Sequence, residues 1–198
     1  MSCTPTEPVE THDDTAVLQE LINNSPYLNM SLDADSSGVI EPFELGEQEW
    51  DDNGRITLLN CNNIGLSGGI PESIGRLTQL RILGLKSNNL RGEIPLSIGN
   101  LEHLTQLSLI NDSLSGSIPD TIRNLQFLWR LDLSHNQLTG SLPIGISQLP
   151  ILETFLADSN NLSGTIPDDI CNIYNQNSNF DLSGNKFCPP LPACLDKP

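Results

Sequence analysis

LRILGLKSNNLRGEIPLSIGN, residues 80–100, sets the pattern for most of the chain. Three further segments align with it without gaps and begin at Leu104, Leu128 and Leu152, each 24 residues after the one before. A degenerate copy precedes them from Ile56, and a terminal fragment follows at 179–187. A period that recurs this often predicts a solenoid of stacked coils, because one coil cannot bury its own apolar face.

Each copy contains the same local signals. Leucines at alternate positions, such as Leu83 and Leu85, predict a short strand with one buried face. An asparagine three residues later can pair with the backbone of neighbouring coils, and the set is Asn88, Asn136, Asn160 and Asn185. Ile64 and Asp112 interrupt this asparagine ladder, so we expect local adjustment in the first and third coils. A glycine and an Ile-Pro or Leu-Pro pair then permit a tight turn and an extended return path.

These residues resemble the plant-type extracellular leucine-rich-repeat family, whose repeat reads L-x-x-L-x-L-x-x-N-x-L-[ST]-G-x-I-P-x-x-I-G-x. That family includes receptor ectodomains and polygalacturonase-inhibiting proteins. The resemblance covers about 56–195 and implies an α/β repeat fold, a right-handed solenoid of about five to six coils. Parallel strands would line its concave face, with a second, shorter sheet near the Ser-Gly-x-Ile-Pro segments. The expected division is a disordered acidic tail or linker at 1–12, an N-terminal cap at 13–55, repeats at 56–187 and a C-terminal cap at 188–198.

The two caps carry their own signals. Residues 13–23 form an amphipathic pattern typical of a short helix, whose apolar side should pack on the first coil. FCPPLPAC, 187–194, resembles the closing cap of the family, and this resemblance favours a Cys188–Cys194 disulfide. Stacking of the coils also brings Cys194 near Cys171, so Cys171–Cys194 is the alternative. A cysteine-containing cap implies an oxidising compartment, and hence an extracellular or cell-surface protein.

The formal net charge of −16 is concentrated near the start of the chain. Residues 1–53 hold thirteen Asp and Glu and no Lys or Arg. Such a block repels phosphate backbones, which argues against nucleic acid and favours a cation or a basic protein surface as partner. No stretch has the roughly 18 apolar residues that a membrane span needs. Ser2-Cys3 matches the mature start of a bacterial lipoprotein, with Cys3 as the lipid anchor; the alternative is an incidental cysteine.

DADSSGVIEPFE, residues 33–44, matches the twelve-residue EF-hand pattern. The ligand places fall on Asp33, Asp35, Ser37, the carbonyl of Val39, Glu41 and a bidentate Glu44. Oxygen ligands at this spacing suit one calcium ion, and we expect no organic cofactor. Pro26 ends the preceding helix early and no second loop is present, so the alternative is a solvated acidic loop whose match is fortuitous.

No catalytic motif is recognisable, and we predict that the chain is not an enzyme. The leading hypothesis is a monomeric recognition module that binds a protein or a glycan through its concave face. The residues predicted to form that binding face are Arg81, Lys86, Gln106, Ile110, Trp129, Arg130, Asp132, His135, Leu156 and Asp158. Trp129 and Arg130 are the strongest candidates, because exposed Trp and Arg are enriched among binding hot spots. Two alternatives are an inhibitor of a cell-wall polysaccharide hydrolase and a calcium-stiffened structural or adhesive surface protein.

Overall fold

The 24-residue period becomes a stack of coils in the computed structural model, which describes residues 14–174 and 179–195. We number the coils by their first core residue. Coils 1 to 5 begin at Ile56, Leu80, Leu104, Leu128 and Leu152, and the strand at 179–181 belongs to a sixth coil. The predicted leucine-rich-repeat solenoid is confirmed.

A seven-stranded sheet lies along the side predicted to be concave, and we call its solvent-facing surface the concave face. Its strands, in spatial order, are β1 (Glu47–Trp50), β2 (Ile56–Asn60), β4 (Ile82–Gly84), β6 (Gln106–Ser108), β8 (Arg130–Asp132), β9 (Thr154–Leu156) and β11 (Asn179–Asp181). From β2 to β11 the neighbouring strands are parallel, so equivalent residues of successive coils lie side by side, as Leu59, Leu83 and Leu107 do. β1 pairs antiparallel with β2 and closes one edge of the sheet.

Shorter strands form a second layer near the Ser-Gly-x-Ile-Pro segments, as the family resemblance implied. They are β3 (Ser67–Gly68), β5 (Asn89–Glu93) and β7 (Ser113–Ser115), then β10 (Ser163–Gly164) paired with β12 (Lys186–Phe187). Backbone hydrogen bonds continue between these two groups; the N–H of Gln137, for example, donates to the Leu114 carbonyl at 2.8 Å.

Each coil returns through a short helix. These are the 3-10 helices Glu72–Arg76, Leu96–Asn100, Asp120–Asn124 and Ile144–Gln148, followed by the α-helix α2 (Ile170–Tyr174). In coils 1 to 4 a proline stands directly before the helix in extended conformation, as Pro71 does with φ −72° and ψ 150°. The proline ring fixes that φ, so the Ile-Pro or Leu-Pro pair sets where each helix begins.

One continuous apolar core runs through the stack, from Val17 near the N-terminus to Ile173 in α2. The strand leucines are fully buried, including Leu83 and Leu85 of coil 2. At the far end, the rings of Phe155 and Tyr174 both meet Phe180 edge-on. Each coil thus buries its leucines against the next, which is why the repeat is stable only as a stack.

The asparagine ladder is confirmed, and Asn88 shows how it works. Its Oδ1 accepts hydrogen bonds from the three consecutive N–H groups of residues 64–66, at 3.0–3.1 Å. Its Nδ2 donates to the carbonyl of Cys61 in the preceding coil at 2.8 Å and to that of Leu85 in its own coil at 2.7 Å. One side chain therefore satisfies the backbone of two coils where the chain turns away from the sheet.

Asp112 breaks this ladder in coil 3, as its sequence position predicted. Its Oδ1 accepts from the Leu90 N–H at 2.9 Å, but its Oδ2 is buried without a hydrogen-bond partner. In the repeat, the carbonyls of Leu85 and Leu109 lie where ladder asparagines direct their Nδ2. A carboxylate, unlike the asparagine amide, cannot donate a hydrogen bond to these carbonyls. Burial raises the pKa of Asp112 to about 7, against the opposing effect of backbone N–H groups.

The N-terminal cap begins with α1 (Asp14–Asn23), which agrees with the predicted helix. Val17, Leu18 and Leu21 are buried in the core, as expected. Asp14 fixes the helix to coil 1: its carboxylate accepts from Arg55 Nε at 3.1 Å and from the backbone N–H of Ile56 at 2.9 Å. Arg55 and Asp14 are both buried, so this ion pair lies inside the joint between cap and coil.

The cap also covers both open edges of coil 1. β1 occupies the edge of the concave sheet. Residues 24–29 run along the edge of the second layer, where Ser25 Oγ accepts from the Ser67 N–H at 2.9 Å and the Asn29 N–H donates to the Ile64 carbonyl at 2.9 Å. This protects edge groups that would otherwise pair with other chains.

The favoured disulfide, Cys188–Cys194, is wrong, and the alternative, Cys171–Cys194, is confirmed with a Cα–Cα distance of 5.7 Å. Cys188 is exposed and unpaired, and its N–H donates to the Gly164 carbonyl at 2.8 Å directly after β12. The chain then turns inward and buries Cys194 beside α2. Cys61 is unpaired and buried at the position that Leu85 occupies in coil 2. The predicted lipid anchor, Cys3, and the tail at 1–12 lie outside the described residues.

Candidate ligand-binding face

The concave face presents the residues that flank each strand and alternate with its buried leucines. Of the ten residues predicted to form the binding face, nine are exposed or half-buried: Arg81, Lys86, Gln106, Ile110, Trp129, Arg130, His135, Leu156 and Asp158. They come from coils 2 to 5, whose strands are paired in register. The parallel sheet therefore brings these distant sequence positions onto one surface.

Asp132 departs from the prediction. It lies on the same side of β8, but it is only 2% exposed. Its Oδ2 accepts from Arg130 Nη2 at 3.0 Å, and its Oδ1 accepts from Ser134 Oγ at 2.9 Å. Because neighbouring side chains cover it, Asp132 orients Arg130 instead of facing solvent.

Trp129 and Arg130 form the centre of the face in coil 4. Trp129 is half-buried, and its backbone is fixed in the sheet by hydrogen bonds to Thr105 O and from the N–H groups of coil 5. The side chain of Arg130 is 33% exposed, and its ion pair with Asp132 restricts its orientation. Trp and Arg are enriched among binding hot spots, and a guanidinium already held in place loses less freedom when a partner binds.

Charge is distributed unevenly over the face. Arg81 and Lys86 of coil 2 are exposed and make no ion pair among the described residues. In coil 5, Glu153 is exposed, and Asp158 lies 3.5 Å from Nε2 of His135. Coil 3 contributes neutral side chains, Gln106 and Ile110, between these two ends.

Sequence reasoning missed two features of this face. The residue before each ladder position has a positive φ of 56–58°, and these residues are Asn63, Ser87, Asn111, His135 and Ser159. The repetition of Asn, Ser and His at that position is a signal for left-handed backbone that was readable in the sequence. The second feature is β1, which adds exposed Glu47 and Glu49 beside coil 1; no repeat signal precedes Ile56 to reveal it.

The loop at 33–44 brings part of the predicted metal-ligand set together. Carboxylate oxygens of Asp33, Asp35 and Glu44 lie within 4.8 Å of one another. The Ser37 N–H donates to both aspartates, and hydrogen bonds to Ser37 lower the pKa of Asp35. The carbonyl of Val39 accepts from Ser37 Oγ at 3.1 Å.

The surroundings of this loop differ from a full EF-hand. A single 3-10 turn, Met30–Leu32, enters the loop and another, Pro42–Glu44, ends it. Ile40 is buried, and Glu41 is exposed. The three converging carboxylates fit a hard cation such as calcium, which prefers oxygen ligands.

No helix among the described residues combines the length and apolar character needed to cross a membrane. A family model described as Leucine Rich Repeat matches residues 79–101, 127–149 and 152–173. Comparison with curated proteins finds no significant match.

Solved structures provide closer comparisons. A chain of the BIR3–SERK2 complex from Arabidopsis thaliana is 35% identical with a TM-score of 0.73, and the match covers 92% of this chain and 99% of that one. The PEPR1–AtPEP1 structure gives 30% identity and a TM-score of 0.78, over 92% of this chain. The Arabidopsis HAESA ectodomain, solved with a peptide hormone ligand, gives 33% and 0.66 over 69% of this chain. The present chain spans only 26% and 22% of those last two, respectively.

Proposed function

This chain belongs to the leucine-rich-repeat family, and from that premise we propose that it is a recognition module that binds a peptide or protein on its concave face. The observation that carries the proposal is the continuous in-register sheet, whose outward side chains, Trp129 and Arg130 at the centre, stand over a rigid core. Binding residues placed on a rigid sheet lose little conformational freedom when a partner binds.

The relatives support the same proposal. The HAESA ectodomain was solved with a peptide hormone, and the BIR3–SERK2 structure is a complex between proteins. The second of these contains a chain that matches ours over nearly its whole length, so five or six coils are enough for such a module. A glycan is the alternative ligand, because aromatic and charged side chains also serve sugar recognition.

We further propose that the module acts outside the cell or on its surface. The Cys171–Cys194 disulfide supports this location, since disulfides persist in oxidising compartments. The HAESA structure is the ectodomain of a receptor kinase, which agrees with it.

Selection from a displayed random-peptide library, alongside a glycan array, tests the proposed function with the full chain. We expect peptide binders whose affinity falls at least about tenfold in Trp129→Ala, which corresponds to about 1.4 kcal/mol. Tyr27→Ala, which removes another aromatic side chain, exposed on the cap, is the control and should leave affinity unchanged. Peptides that bind Trp129→Ala with unchanged affinity would show that the concave face around Trp129 is not the binding surface. Binding on the glycan array without any peptide binder would indicate a sugar ligand instead.

We also propose that the loop at 33–44 binds one calcium ion and stiffens the N-terminal cap. The convergence of the Asp33, Asp35 and Glu44 carboxylates supports this proposal. The carbonyl of Val39, the hydroxyl of Ser37 and Glu41 would complete the oxygen set, the last through water.

Thermal unfolding in calcium and in chelator tests the metal proposal. If the Kd is about 10⁻⁴ M, 10 mM calcium should stabilise the chain by about 2.7 kcal/mol and raise Tm by roughly 5–10 °C. Asp33→Asn with Glu44→Gln should abolish the increase. Glu49→Gln with Asp52→Asn removes the same charge from exposed sites of the cap and should retain it. A Tm of the unaltered chain that is equal in calcium and chelator would contradict the proposal.

A further inference from the structure

Four charged side chains occupy two equivalent positions of the repeat. Arg81 and Lys86 flank the strand of coil 2, and Glu153 and Asp158 flank that of coil 5 at the same two positions, 72 residues later. The sign of the charge is therefore reversed three coils along the sheet. The residues at these positions in coils 3 and 4 are all uncharged: Thr105, Ile110, Trp129 and Ser134.

These charges are available to a partner to different degrees. Arg81, Lys86 and Glu153 are exposed and make no ion pair among the described residues. The side chain of Asp158 is 19% exposed and lies 3.5 Å from His135. The remaining cation of the face, Arg130, is already paired with Asp132. Within the face, coil 2 thus presents a cationic pair and coil 5 an anionic pair, and Glu47 and Glu49 of β1 lie beyond coil 1.

Strand geometry sets the distance between the two charged pairs. Neighbouring strands lie about 4.8 Å apart, so coils 2 and 5 are separated by about 14 Å. An extended peptide advances about 3.3 Å per residue, so four residues span about 13 Å. A segment that lies across the strands would therefore place residues i and i+4 over the two charged pairs.

Resting on the proposed function, we propose that the concave face selects an extended peptide segment with one acidic and one basic group four residues apart. The acidic group pairs with Arg81 and Lys86, and the basic group with Glu153 and Asp158. The uncharged residues between them lie over Ile110 and Trp129.

Charge also explains what the face rejects. The chain as a whole, at −16, attracts basic partners, but a uniformly basic segment would place one of its charges against Arg81 and Lys86. A uniformly acidic segment would meet Glu153 and Asp158. Like charges brought together in this way lower affinity and so give specificity.

A peptide array tests the inference with the full chain as probe. Each ten-residue peptide carries one Asp and one Lys, one to seven residues apart and in both orders, on a Thr- and Ser-rich background; matched peptides carry Lys/Lys or Asp/Asp pairs. We expect the strongest binding at a separation near four, about fivefold above that at one, and a decline of this preference in 500 mM salt.

Charge-reversal variants identify the residues that read the peptide. Arg81→Glu with Lys86→Glu should shift the preference to Lys/Lys peptides at the same separation. Arg76→Glu with Arg91→Glu makes the same change in charge at exposed sites off the face, and should keep the Asp/Lys preference.

The outcomes separate this inference from the proposed function. The charge-pair inference alone would be overturned by either of two results. One is peptide binding that requires Trp129 but has the same affinity at every Asp–Lys separation; the other is an unchanged Asp/Lys preference in Arg81→Glu with Lys86→Glu. A folded chain that binds no peptide on the array or in the random library would overturn peptide recognition itself.

Discussion

Asp112→Asn replaces the carboxyl group that interrupts the ladder with the amide found in coils 2, 4, 5 and 6. In the structure, Asp112 accepts one hydrogen bond from Leu90 and keeps its other oxygen buried without a partner. An asparagine would retain the first contact and donate its Nδ2 towards the carbonyls of Leu85 and Leu109, as Asn88 and its equivalents do. We therefore expect the substitution to stabilise the protein.

The size of the effect follows from the pKa of Asp112. Burial raises it from 3.8 to about 7, a difference of roughly three pH units that corresponds to about 4 kcal/mol. The carboxyl group is only partly buried, so we reduce this to about 2 kcal/mol. The folded-state pKa lies above the unfolded-state value, so the folded protein retains a proton that the unfolded chain releases. Stability is therefore lost as pH rises from about 4 to 7 and stays low above 7.

Urea unfolding at pH 4.5 and pH 8, followed by the fluorescence of Trp50 and Trp129, measures this difference. At pH 8 the Asn variant should be more stable by about 2–3 kcal/mol, the carboxylate penalty plus the amide hydrogen bonds, with a Tm roughly 4–12 °C higher. At pH 4.5 the advantage should shrink to the amide hydrogen bonds, about 1 kcal/mol or less. Asp52→Asn, at an exposed site, should show no such pH-dependent gain. An equal advantage at both pH values, or a less stable variant at pH 8, would refute the reasoning.

Two further predictions concern the contacts that attach the two caps to the repeats. Asp14→Asn leaves Arg55 buried without its counter-ion and should lower the free energy of chemical unfolding by about 3 kcal/mol. Asp120→Asn, the control, breaks an exposed ion pair and should lower it by less than about 1 kcal/mol. Equal losses in the two variants would show that the Asp14–Arg55 ion pair does not hold the cap. Cys171→Ser should cost about 3 kcal/mol, because it opens a loop of 23 residues, while Cys188→Ser should leave the non-reducing Tm unchanged. A loss of stability in Cys188→Ser instead would contradict the pairing.

Most of the fold could be predicted because the same sequence pattern recurs in every coil. The 24-residue period located the strands, the second layer and the ladder, and Asn88, Asn136 and Asn160 each donate to a carbonyl 27 positions earlier. The break at Asp112 was visible for the same reason. What does not repeat was harder to predict: β1 pairs antiparallel through a single local segment, and the buried pair of Asp14 and Arg55 joins residues 41 apart.

The candidate site shows the same division. The period identified which side chains leave the sheet on its solvent side, and nine of the ten predicted residues are accessible. It did not reveal how neighbours cover one another, and so Asp132 was counted as accessible although Arg130 and Ser134 enclose its carboxylate. The disulfide depends on the path of the C-terminal cap, which leaves Cys188 exposed after β12 and buries Cys194 against Cys171 of α2. Family resemblance alone does not encode that path.

The ladder also determines how such a protein can change its length. Asn88 satisfies the backbone of the coil before it, and Asn136 does the same for coil 3, so each coil is completed by its successor. Inserting or deleting a whole unit of 24 residues leaves every one of these partnerships intact, and the last coil, where Asn185 follows Asn160 by 25 residues, keeps its ladder contacts with one residue more than the repeat. In evolution or design, the reach of the binding surface can therefore grow or shrink only in steps of one strand spacing, about 4.8 Å. Inserting one coil between coils 2 and 5 would lengthen the distance between their charged pairs by one strand spacing. The charge separation selected in the peptide would then increase without any change to the charged residues themselves.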